Sequence, residues 1–444
     1  MRKGLFAAAM LAAGLAAFAA KAEPVLMISI DGLRPADVID AEERGIKAPH
    51  LKAIMTDGAY ADGVINELPT VTYPNHTTLI TGVAPSLHGI SSNTTFDPLQ
   101  KNNQGWYWYT SDIKVPTLWD AVHGKGEGVA SIGWPVSAGA RTVDWNVPEI
   151  WRAFAPDDLK LIEALSSPGL VAELEKKADL PLAAIFTEEA EGDVARAKFA
   201  AALIALKHPE FMTLHLVSLD HFEHEDGPGS DKAKAVLETL DKTVGDLIAE
   251  ARAAEPDIVV AVVSDHGFAS VSQSVNLMIP FIEAGLITYD ADKHKITGWE
   301  AEPWGAGGSA AIVLAHPEDK KLRKKVAALL KKLAADPALQ IAEVIDAKGI
   351  AKLGGGKEAS FWVDFKPGAY MGYKLEGDVV TAASIKGTHG FFPTHPEMRA
   401  SFFIEGPGVP EGRDLGEIDM RDIAPTLAKI MDVKFDSATG KPLF

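Results

Sequence analysis

The amino-acid sequence predicts an α/β protein in which a mostly parallel central sheet is covered by helices on both faces. Three continuous apolar runs, at residues 25–30, 211–219 and 257–264, are typical of buried parallel strands. Segments with helical periodicity, among them residues 191–207 and 232–251, alternate with these runs. This alternation favours a parallel sheet, because parallel neighbours need a crossover connection between them.

Composition limits the class of protein and its partners. The chain has 444 residues, of which 47% are hydrophobic and 23% charged, enough for one large domain with an insertion. Its net charge of −18 disfavours a nucleic-acid polymer as partner, since such binding depends on neutralising phosphates. A small anionic substrate is compatible with a local cationic site. The absence of cysteine excludes disulfides and thiolate metal sites, so any metal needs His, Asp, Glu or hydroxyl ligands.

The first 22 residues have the features of a secretory signal peptide. Arg2 and Lys3 precede an apolar run at residues 5–20, and an A-x-A cleavage site ends at Ala22. The run is short for a membrane span and no comparable stretch follows, so we expect no stable membrane insertion. The alternative is an uncleaved N-terminal anchor. The short, alanine-rich segment is typical of bacterial exports and predicts a periplasmic or secreted protein.

The rest of the chain divides into a main domain and an insertion. We expect residues 23–271 and 386–444 to form the main α/β domain. Residues 272–385 differ in sequence pattern from the regions on either side, and we expect them to form a small α/β insertion or cap-like segment. This segment contains a lysine-rich amphipathic helix at residues 318–335. A solvated lysine face on a packed helix explains that pattern better than a membrane-surface role.

Aspartates follow the three predicted apolar strands. Asp31, Asp220 and Asp265 each stand at a predicted strand end, where open α/β sheets bind their ligands. Histidines accompany two of them, as His224 and His266. Each aspartate alone is explained as a turn or cap residue, but the repeated placement predicts a shared site.

A hydroxyl group stands at a predicted helix start. Thr72 follows a short β-branched run and precedes Pro74, a residue favoured in the first turn of a helix. Gly82 ends the predicted helix. The N–H groups and dipole at a helix N-terminus hold a phosphate well, although a capped Thr/Asn-rich turn is the alternative for this stretch alone. The position therefore suits a nucleophile acting on phosphorus.

Together these side chains predict a two-metal centre. The residues with metal-binding or nucleophilic groups at strand ends or adjoining turns are Asp31, Thr72, Asp220, His224, Asp265, His266 and His389. Mixed oxygen and nitrogen ligands suit zinc best, with manganese or iron as alternatives. Two such ions clamp a phosphoryl group for in-line displacement, and coordination activates a threonine hydroxyl.

The sequence resembles the alkaline phosphatase superfamily and, within it, the nucleotide pyrophosphatase/phosphodiesterase family. The resemblance covers essentially the whole chain after residue 22. The matching pieces, in order, are ISIDG at Asp31, TYPNHTTLITG at Thr72, PSLHGISSN at Asn93, DHFEH at Asp220 and His224, SDHG at Asp265 and His266, and THGFFPTHPEM at His389.

This resemblance implies an alkaline-phosphatase-like fold and a site for two divalent ions, with zinc favoured. One ion would be held by Asp31, Asp265 and His266 together with Thr72. The other would be held by Asp220, His224 and His389. The resemblance also implies that Thr72 is phosphorylated transiently and that Asn93 donates a hydrogen bond to a phosphate oxygen.

The resemblance favours a diesterase over a monoesterase. Monoesterases of the superfamily that use threonine pair it with a Lys-x-Arg motif, whereas here Gly139 precedes Arg141 at the lysine position. The stretch Trp134-Pro135-x-Ser137 instead resembles the phosphodiesterase motif W-P-G-S. Loss of a fixed cation weakens the binding of a dianionic phosphoryl group more than that of a monoanionic diester, which favours a diesterase. A phosphomonoesterase is the alternative function.

Tyr73, Trp134 and His215 are candidate substrate contacts. The resemblance implies that a nucleotide base stacks between two aromatic residues. One follows the nucleophile and is Tyr73 here, and the other is a tyrosine whose position is occupied by His215. A nucleotide and a small lipid-headgroup or glycerol diester are therefore both open as substrates.

Other classes fit the sequence less well. A sulfatase needs Cys or Ser in a C/S-x-P-x-R setting, and no such nucleophile or arginine stands at residues 72–76. The sequence contains no G-x-S-x-G elbow, Walker loop or H-E-x-x-H motif. A non-catalytic periplasmic metal-binding protein is the remote alternative, although a metal store needs neither Thr72 nor Asn93.

Overall fold

The computed structural model of the chain describes residues 22–102, 105–151 and 157–444. The predicted signal peptide therefore lies outside the described residues, except for Ala22. Within the described ranges, no helix combines the length and the apolar character that crossing a bilayer requires.

The centre of the fold is an eight-stranded sheet that is mostly parallel, as the sequence predicts. In spatial order its strands are Arg413–Asp414, Ala59–Tyr60, Phe402–Glu405, Val259–Val263, Val25–Ile30, Phe211–Leu216, Val129–Ile132 and Trp145–Val147. The five strands from Val259–Val263 to Trp145–Val147 run parallel. Phe402–Glu405 runs antiparallel to its neighbour Val259–Val263. The carboxyl ends of the parallel strands thus meet at one edge.

The central strand Val25–Ile30 is buried on both faces, which explains its continuous apolar sequence. Leu26, Ile28 and Ile30 belong to one apolar core, with residues of the long helices Ala190–Lys207 and Asp231–Ala254. Val25 and Met27 belong to a second core on the opposite face, which includes residues of helices Thr72–Thr81, Leu118–Lys125 and Ile423–Ile430. Helices therefore cover both faces.

Within the described residues, helices lie in the connections that link Val25–Ile30 to Ala59–Tyr60, Trp145–Val147 to Phe211–Leu216, and Phe211–Leu216 to Val259–Val263. The α-helices are Ala36–Ile39, Pro49–Asp57, Thr72–Thr81, Pro85–His88, Leu118–Lys125, Asp158–Leu165, Leu170–Ala178, Ala190–Lys207, Ser218–Asp226, Asp231–Ala254, Met278–Glu283, Lys320–Ala334, Ala347–Lys352 and Ile423–Ile430. The 3₁₀ turns are Thr110–Asp112, Leu182–Ile185, Pro337–Leu339, Pro396–Met398 and Met420–Asp422.

Residues 272–385 carry a separate antiparallel sheet and a hairpin. The sheet contains, in spatial order, Ala301–Gly305, Ser309–Leu314, Ala359–Phe365 and Ile341–Asp346, and the hairpin joins Ile287–Asp290 to Lys295–Trp299. The smaller ladders pair Ala269–Val275 with Gly368–Met371, Val380–Ala382 and Gly387–Thr388, and Gly63–Ile65 with Glu417–Asp419. Strand Ala269–Val275 crosses the predicted boundary at residue 272. A common apolar core includes Ala269, Ile312 and Phe391.

One predicted element boundary is wrong. The strand expected at residues 211–219 ends at Leu216, and a helix, Ser218–Asp226, begins two residues later. Asp220 therefore lies in the first turn of this helix and not at a strand end. The buried carboxylate of Asp193 accepts hydrogen bonds from the N–H groups of Val217 and Ser218, at 3.0 and 2.8 Å. This cap from another helix stabilises the early helix start.

Candidate active site

A cavity of about 270 Å³ opens at the carboxyl edge of the central sheet. Most of the predicted site residues line it, namely Asp31, Thr72, Tyr73, Asn93, His215, Asp220, His224 and His389. Aromatic and aliphatic side chains complete the wall, including Trp106, Ile150, Trp151, Ile162, Ile185 and Phe186. The structure thus combines a polar floor with a largely apolar wall.

Thr72 begins the buried helix Thr72–Thr81, as its sequence predicts. The helix ends at Gly82, whose φ of 65° is the left-handed conformation that glycine adopts without strain. The hydroxyls of Thr77, Thr78 and Thr81 bond to carbonyls one turn earlier, which satisfies these polar groups inside the core. The half-buried Thr72 side chain therefore stands on a rigid element, at the positive end of the helix dipole.

Asn93 is attached to the same helix start. Its Oδ1 accepts a hydrogen bond of 2.8 Å from the backbone N–H of Tyr73. Because the amide oxygen is used in this way, the amide N–H₂ group is directed elsewhere and can donate to a bound anion. Asn93 and Thr72 thus lie on the same side of the cavity.

Three histidines, two of them buried and His224 half-buried, present the same ring nitrogen to the centre of the site. The Nδ1 atoms of His224, His266 and His389 lie 2.9, 3.2 and 3.1 Å from the backbone carbonyls of Gly387, Gly267 and Thr70. A carbonyl only accepts hydrogen bonds, so each Nδ1 carries the hydrogen and each Nε2 keeps its lone pair. Burial lowers the pKa of His224 to about 4, and burial with neighbouring imidazoles lowers the pKa values of His266 and His389 well below their usual range. All three rings are therefore neutral.

These Nε2 atoms face carboxylates without forming hydrogen bonds to them. His224 Nε2 and His389 Nε2 each lie 3.6 Å from Asp220 Oδ1. His266 Nε2 lies 3.3 Å from Asp31 Oδ1 and 3.1 Å from Asp265 Oδ2. Burial raises the pKa values of Asp220 and Asp265 to about 7, and burial with the neighbouring aspartates raises that of Asp31.

The arrangement fits divalent cations. Asp31 Oδ1, Asp220 Oδ1, Asp265 Oδ2 and His266 Nε2 are buried atoms that have no hydrogen-bond partner within the described part of the chain. Lone pairs that face each other across 3.1–4.0 Å repel unless a positive charge lies between them. Two groups bring possible ligand atoms within 4.8 Å of one another: Asp220, His224 and His389, and Asp31, Asp220 and His266. Asp220 belongs to both groups.

His215 lies between two carboxylates, an arrangement that the sequence does not reveal. Its Nε2 is 3.0 Å from Asp31 Oδ2, and its Nδ1 is 3.0 Å from Glu149 Oε2. Although burial opposes protonation, the hydrogen bonds to Asp31 and Glu149 raise the pKa of His215 well above its usual value. Glu149 was not among the predicted residues, because it stands in a loop with no motif around it.

His76 is a second supporting histidine that sequence reasoning missed. It is fully buried, with Nδ1 2.9 Å from the Thr72 carbonyl and 3.5 Å from Asp265 Oδ2. Its spacing of four residues from Thr72 within a helix was a signal that could have identified it. Trp134, a predicted substrate contact, is also fully buried and packs edge-on against His76 at 4.8 Å. Trp134 does not line the cavity, so it supports the site from behind.

Cationic side chains are scarce around the cavity. Arg196 is the one Lys or Arg residue that lines it in the described structure. Its guanidinium is already engaged by Asp193 Oδ1 at 2.7 Å and the Thr187 carbonyl at 3.0 Å. Arg141, the candidate match to the monoesterase arginine, is exposed and does not line the cavity.

Comparison with known proteins identifies the family. A family model described as type I phosphodiesterase / nucleotide pyrophosphatase matches residues 25–392. The chain is 25% identical over 256 residues to rat ectonucleotide pyrophosphatase/phosphodiesterase family member 3, covering 55% of this chain and 25% of that protein. It is also 25% identical over 262 residues to a venom phosphodiesterase of Macrovipera lebetinus, covering 56% and 26%. The chain thus matches about a quarter of the length of these relatives.

Solved structures show the same fold over nearly the whole chain. Human ectonucleotide pyrophosphatase / phosphodiesterase 5 aligns with a TM-score of 0.65 at 19% identity, covering 94% of this chain and 97% of that one. An inactive variant of the murine protein in complex with AMP aligns with a TM-score of 0.64 at 18% identity, covering 94% and 96%. The fold is alkaline-phosphatase-like, and the chain belongs to the type I phosphodiesterase / nucleotide pyrophosphatase family.

Proposed function

We propose that this protein is a two-metal phosphodiesterase of the nucleotide pyrophosphatase type, which hydrolyses small phosphodiesters through a covalent intermediate on Thr72. The observation that carries the proposal is the set of unpartnered carboxylate oxygens and neutral imidazoles beside Thr72. A threonine at a helix start and a donor such as Asn93 add nothing to a metal store. Their presence in the same cavity supports catalysis over metal binding alone.

Two divalent ions, with zinc favoured, would be held by the carboxylates and imidazoles of this site. Asp31, Asp265 and His266 would hold the ion beside Thr72, and Asp220, His224 and His389 would hold the other. When bound, such ions would lower the pKa of the threonine hydroxyl and place positive charge beside the phosphoryl and leaving oxygens. Their charge also removes the repulsion among the buried carboxylates.

The side chains of the protein would then carry out a double displacement. Thr72 Oγ loses its proton and forms a bond to phosphorus, while the bond from phosphorus to one ester oxygen breaks and that alcohol departs with a proton. Asn93 donates a hydrogen bond to a non-bridging phosphate oxygen. Water then attacks phosphorus, the Thr72–phosphorus bond breaks, one proton of the water returns to Thr72 Oγ, and a phosphate monoester leaves. The helix N-terminus at Thr72 stabilises the negative phosphoryl group throughout.

The cavity favours a monoanionic diester. A monoester dianion or a second phosphate needs an additional cation, and Arg196, the lining cation noted above, already binds Asp193 and a carbonyl. The half-buried Trp106 offers a flat apolar surface to an ester group, and the buried Tyr73 packs edge-on against it with ring centroids 5.1 Å apart. We therefore propose that the substrates are small diesters that carry a base or another group with an apolar face. We also propose a periplasmic or secreted location, after cleavage near Ala22.

Metal removal tests the proposal. Dialysis against a chelator should abolish hydrolysis of bis-p-nitrophenyl phosphate, and zinc should restore it. His389→Ala should lower zinc content by about one ion per chain, measured by mass spectrometry, because the Nε2 of His389 is lost. Unchanged zinc content in this variant would contradict the ligand assignment. Zinc binding without any ester turnover by the parent protein would favour the metal-binding alternative.

A further inference from the structure

The side chain of His215 is fixed at both ends inside the protein. It is 2% exposed, and it comes from the buried strand Phe211–Leu216 beside the central strand. Its Nε2 contacts Asp31 Oδ2 at 3.0 Å, while its Nδ1 contacts Glu149 Oε2 at 3.0 Å and the Gly133 carbonyl at 3.2 Å. The ring therefore cannot turn without breaking contacts on two sides.

Glu149 extends this chain of contacts to the nucleophile helix. Its second oxygen, Oε1, accepts a hydrogen bond of 2.8 Å from the Tyr73 hydroxyl. Tyr73 is 1% exposed and directly follows Thr72, and its backbone N–H bonds to Asn93. A continuous path of hydrogen bonds thus joins the residue beside the nucleophile to Asp31.

The two carboxylate oxygens of Asp31 have different roles in this arrangement. Oδ2 is occupied by His215, whereas Oδ1 is buried, unpartnered and 3.3 Å from His266 Nε2. A carboxylate without the His215 contact could rotate about its terminal torsion and present either oxygen, or neither, to the site. The contact removes that freedom.

We propose that His215 is a positioning residue that orients Asp31 for metal binding, with Glu149 as the partner that orients His215. This inference rests on the proposed metal site. Partners that orient a metal ligand typically change metal affinity or activity by about 10–100-fold when they are removed. The residue at position 215 would accordingly act on the metal through Asp31 and not through direct coordination.

The test compares zinc affinity in variants of the full chain, by competition with a chromogenic chelator. His215→Phe keeps a planar ring and loses both hydrogen bonds. Glu149→Ala removes the partner of His215, whereas Glu149→Gln keeps an oxygen for His215 and an N–H₂ group for the Tyr73 hydroxyl. His395→Phe is the matched control, since it breaks a 2.6 Å contact to Asp364 outside the cavity lining.

We expect His215→Phe to weaken one of two zinc ions about 10–100-fold and to alter the visible spectrum of the cobalt-substituted protein. Glu149→Ala should weaken the same ion, and Glu149→Gln should restore its affinity. The control should bind zinc as the parent does. If His215→Phe fails to fold, comparison of the zinc affinities of Glu149→Ala and Glu149→Gln tests the inference instead.

The outcomes separate this inference from the proposed function. A parent that binds two zinc ions, with variants at positions 215 and 149 that bind both equally well, would overturn the positioning role alone. A parent that binds no zinc would overturn the proposed function and this inference with it. Equal weakening by His395→Phe would show a general loss of stability and would also overturn the inference.

Discussion

The imidazole rings of His266 and His389 lie face to face, with centroids 3.7 Å apart and an angle of 13° between their planes. His266 follows the strand Val259–Val263, whereas His389 follows the strand Gly387–Thr388, after the chain has passed through residues 272–385. Burial lowers the pKa of both rings and two imidazolium rings at this distance would repel each other, so both rings are neutral. Their free Nε2 atoms then suit a cation better than a proton.

Removal of the proposed nucleophile should separate chemistry from metal binding. We expect Thr72→Ala to retain both zinc ions and to lose roughly 10³-fold or more of diester turnover, because the covalent route is closed. Thr72→Ser keeps a hydroxyl at the helix start and should retain measurable turnover. Zinc content by mass spectrometry and kcat on bis-p-nitrophenyl phosphate check both variants. Near-parental turnover by Thr72→Ala would refute the assignment.

The cap from Asp193 should affect both folding and the metal site. Asp193→Asn exchanges one acceptor oxygen for a donor facing the N–H groups of Val217 and Ser218. We expect the free energy of unfolding to fall by about 1–3 kcal/mol. Zinc affinity should also fall, because Asp220 and His224 lie on the capped helix.

A matched cap elsewhere provides the control for this prediction. Asp319 caps the helix Lys320–Ala334 through the N–H groups of Lys321 and Leu322. Asp319→Ala should lower stability without changing zinc affinity, because it removes the capping oxygen of a helix that carries none of the proposed ligands. Chemical denaturation and zinc titration of both variants measure the two effects. Unchanged zinc affinity in a destabilised Asp193→Asn protein would show that the cap does not act on the site.

Glu67 should make stability depend on pH. Desolvation raises its pKa to about 7 from the ordinary value of 4.5. Arg421 lies 3.1 Å away, but it also binds Asp419, so it offsets the burial only in part. Between pH 4.5 and 7 the folded state keeps a proton that the unfolded state has lost, so this contribution to stability declines as pH rises.

Replacement of Glu67 by glutamine isolates that contribution. The stability of Glu67→Gln relative to the parent should increase from pH 4.5 to pH 7 by roughly 3 kcal/mol at most, since each pKa unit corresponds to about 1.4 kcal/mol. Urea unfolding of both proteins at several pH values measures the difference. A difference that does not change with pH would contradict the raised pKa.

Local patterns were sufficient to predict the parts of the site that depend on local structure. The apolar run before Asp31 corresponds to an observed strand, and the start and stop signals at Thr72 and Gly82 correspond to an observed helix. Local patterns predict such elements because burial and capping act within a few residues. The apolar run ending at Ser264 likewise predicted that Asp265 and His266 follow a strand at the same edge.

Long-range partners explain what the sequence did not reveal. The helix that carries Asp220 begins early because Asp193 caps it from another element, which no local pattern near residue 220 indicates. His215 was predicted to contact substrate through its position in a motif. Its strongest contacts are instead with Asp31 and Glu149, which are distant in sequence. Such pairings depend on tertiary packing and need the structure to be found.

The most direct test of the account is a comparison of three substrates on the zinc-loaded protein. The kcat/KM values for p-nitrophenyl phosphate, bis-p-nitrophenyl phosphate and p-nitrophenyl thymidine 5′-monophosphate measure monoester, simple diester and nucleotide diester hydrolysis. The account predicts a strong preference for the diesters, because no free cation lines the described cavity to hold a dianion. A preference for the monoester would contradict it and identify the protein as a phosphatase.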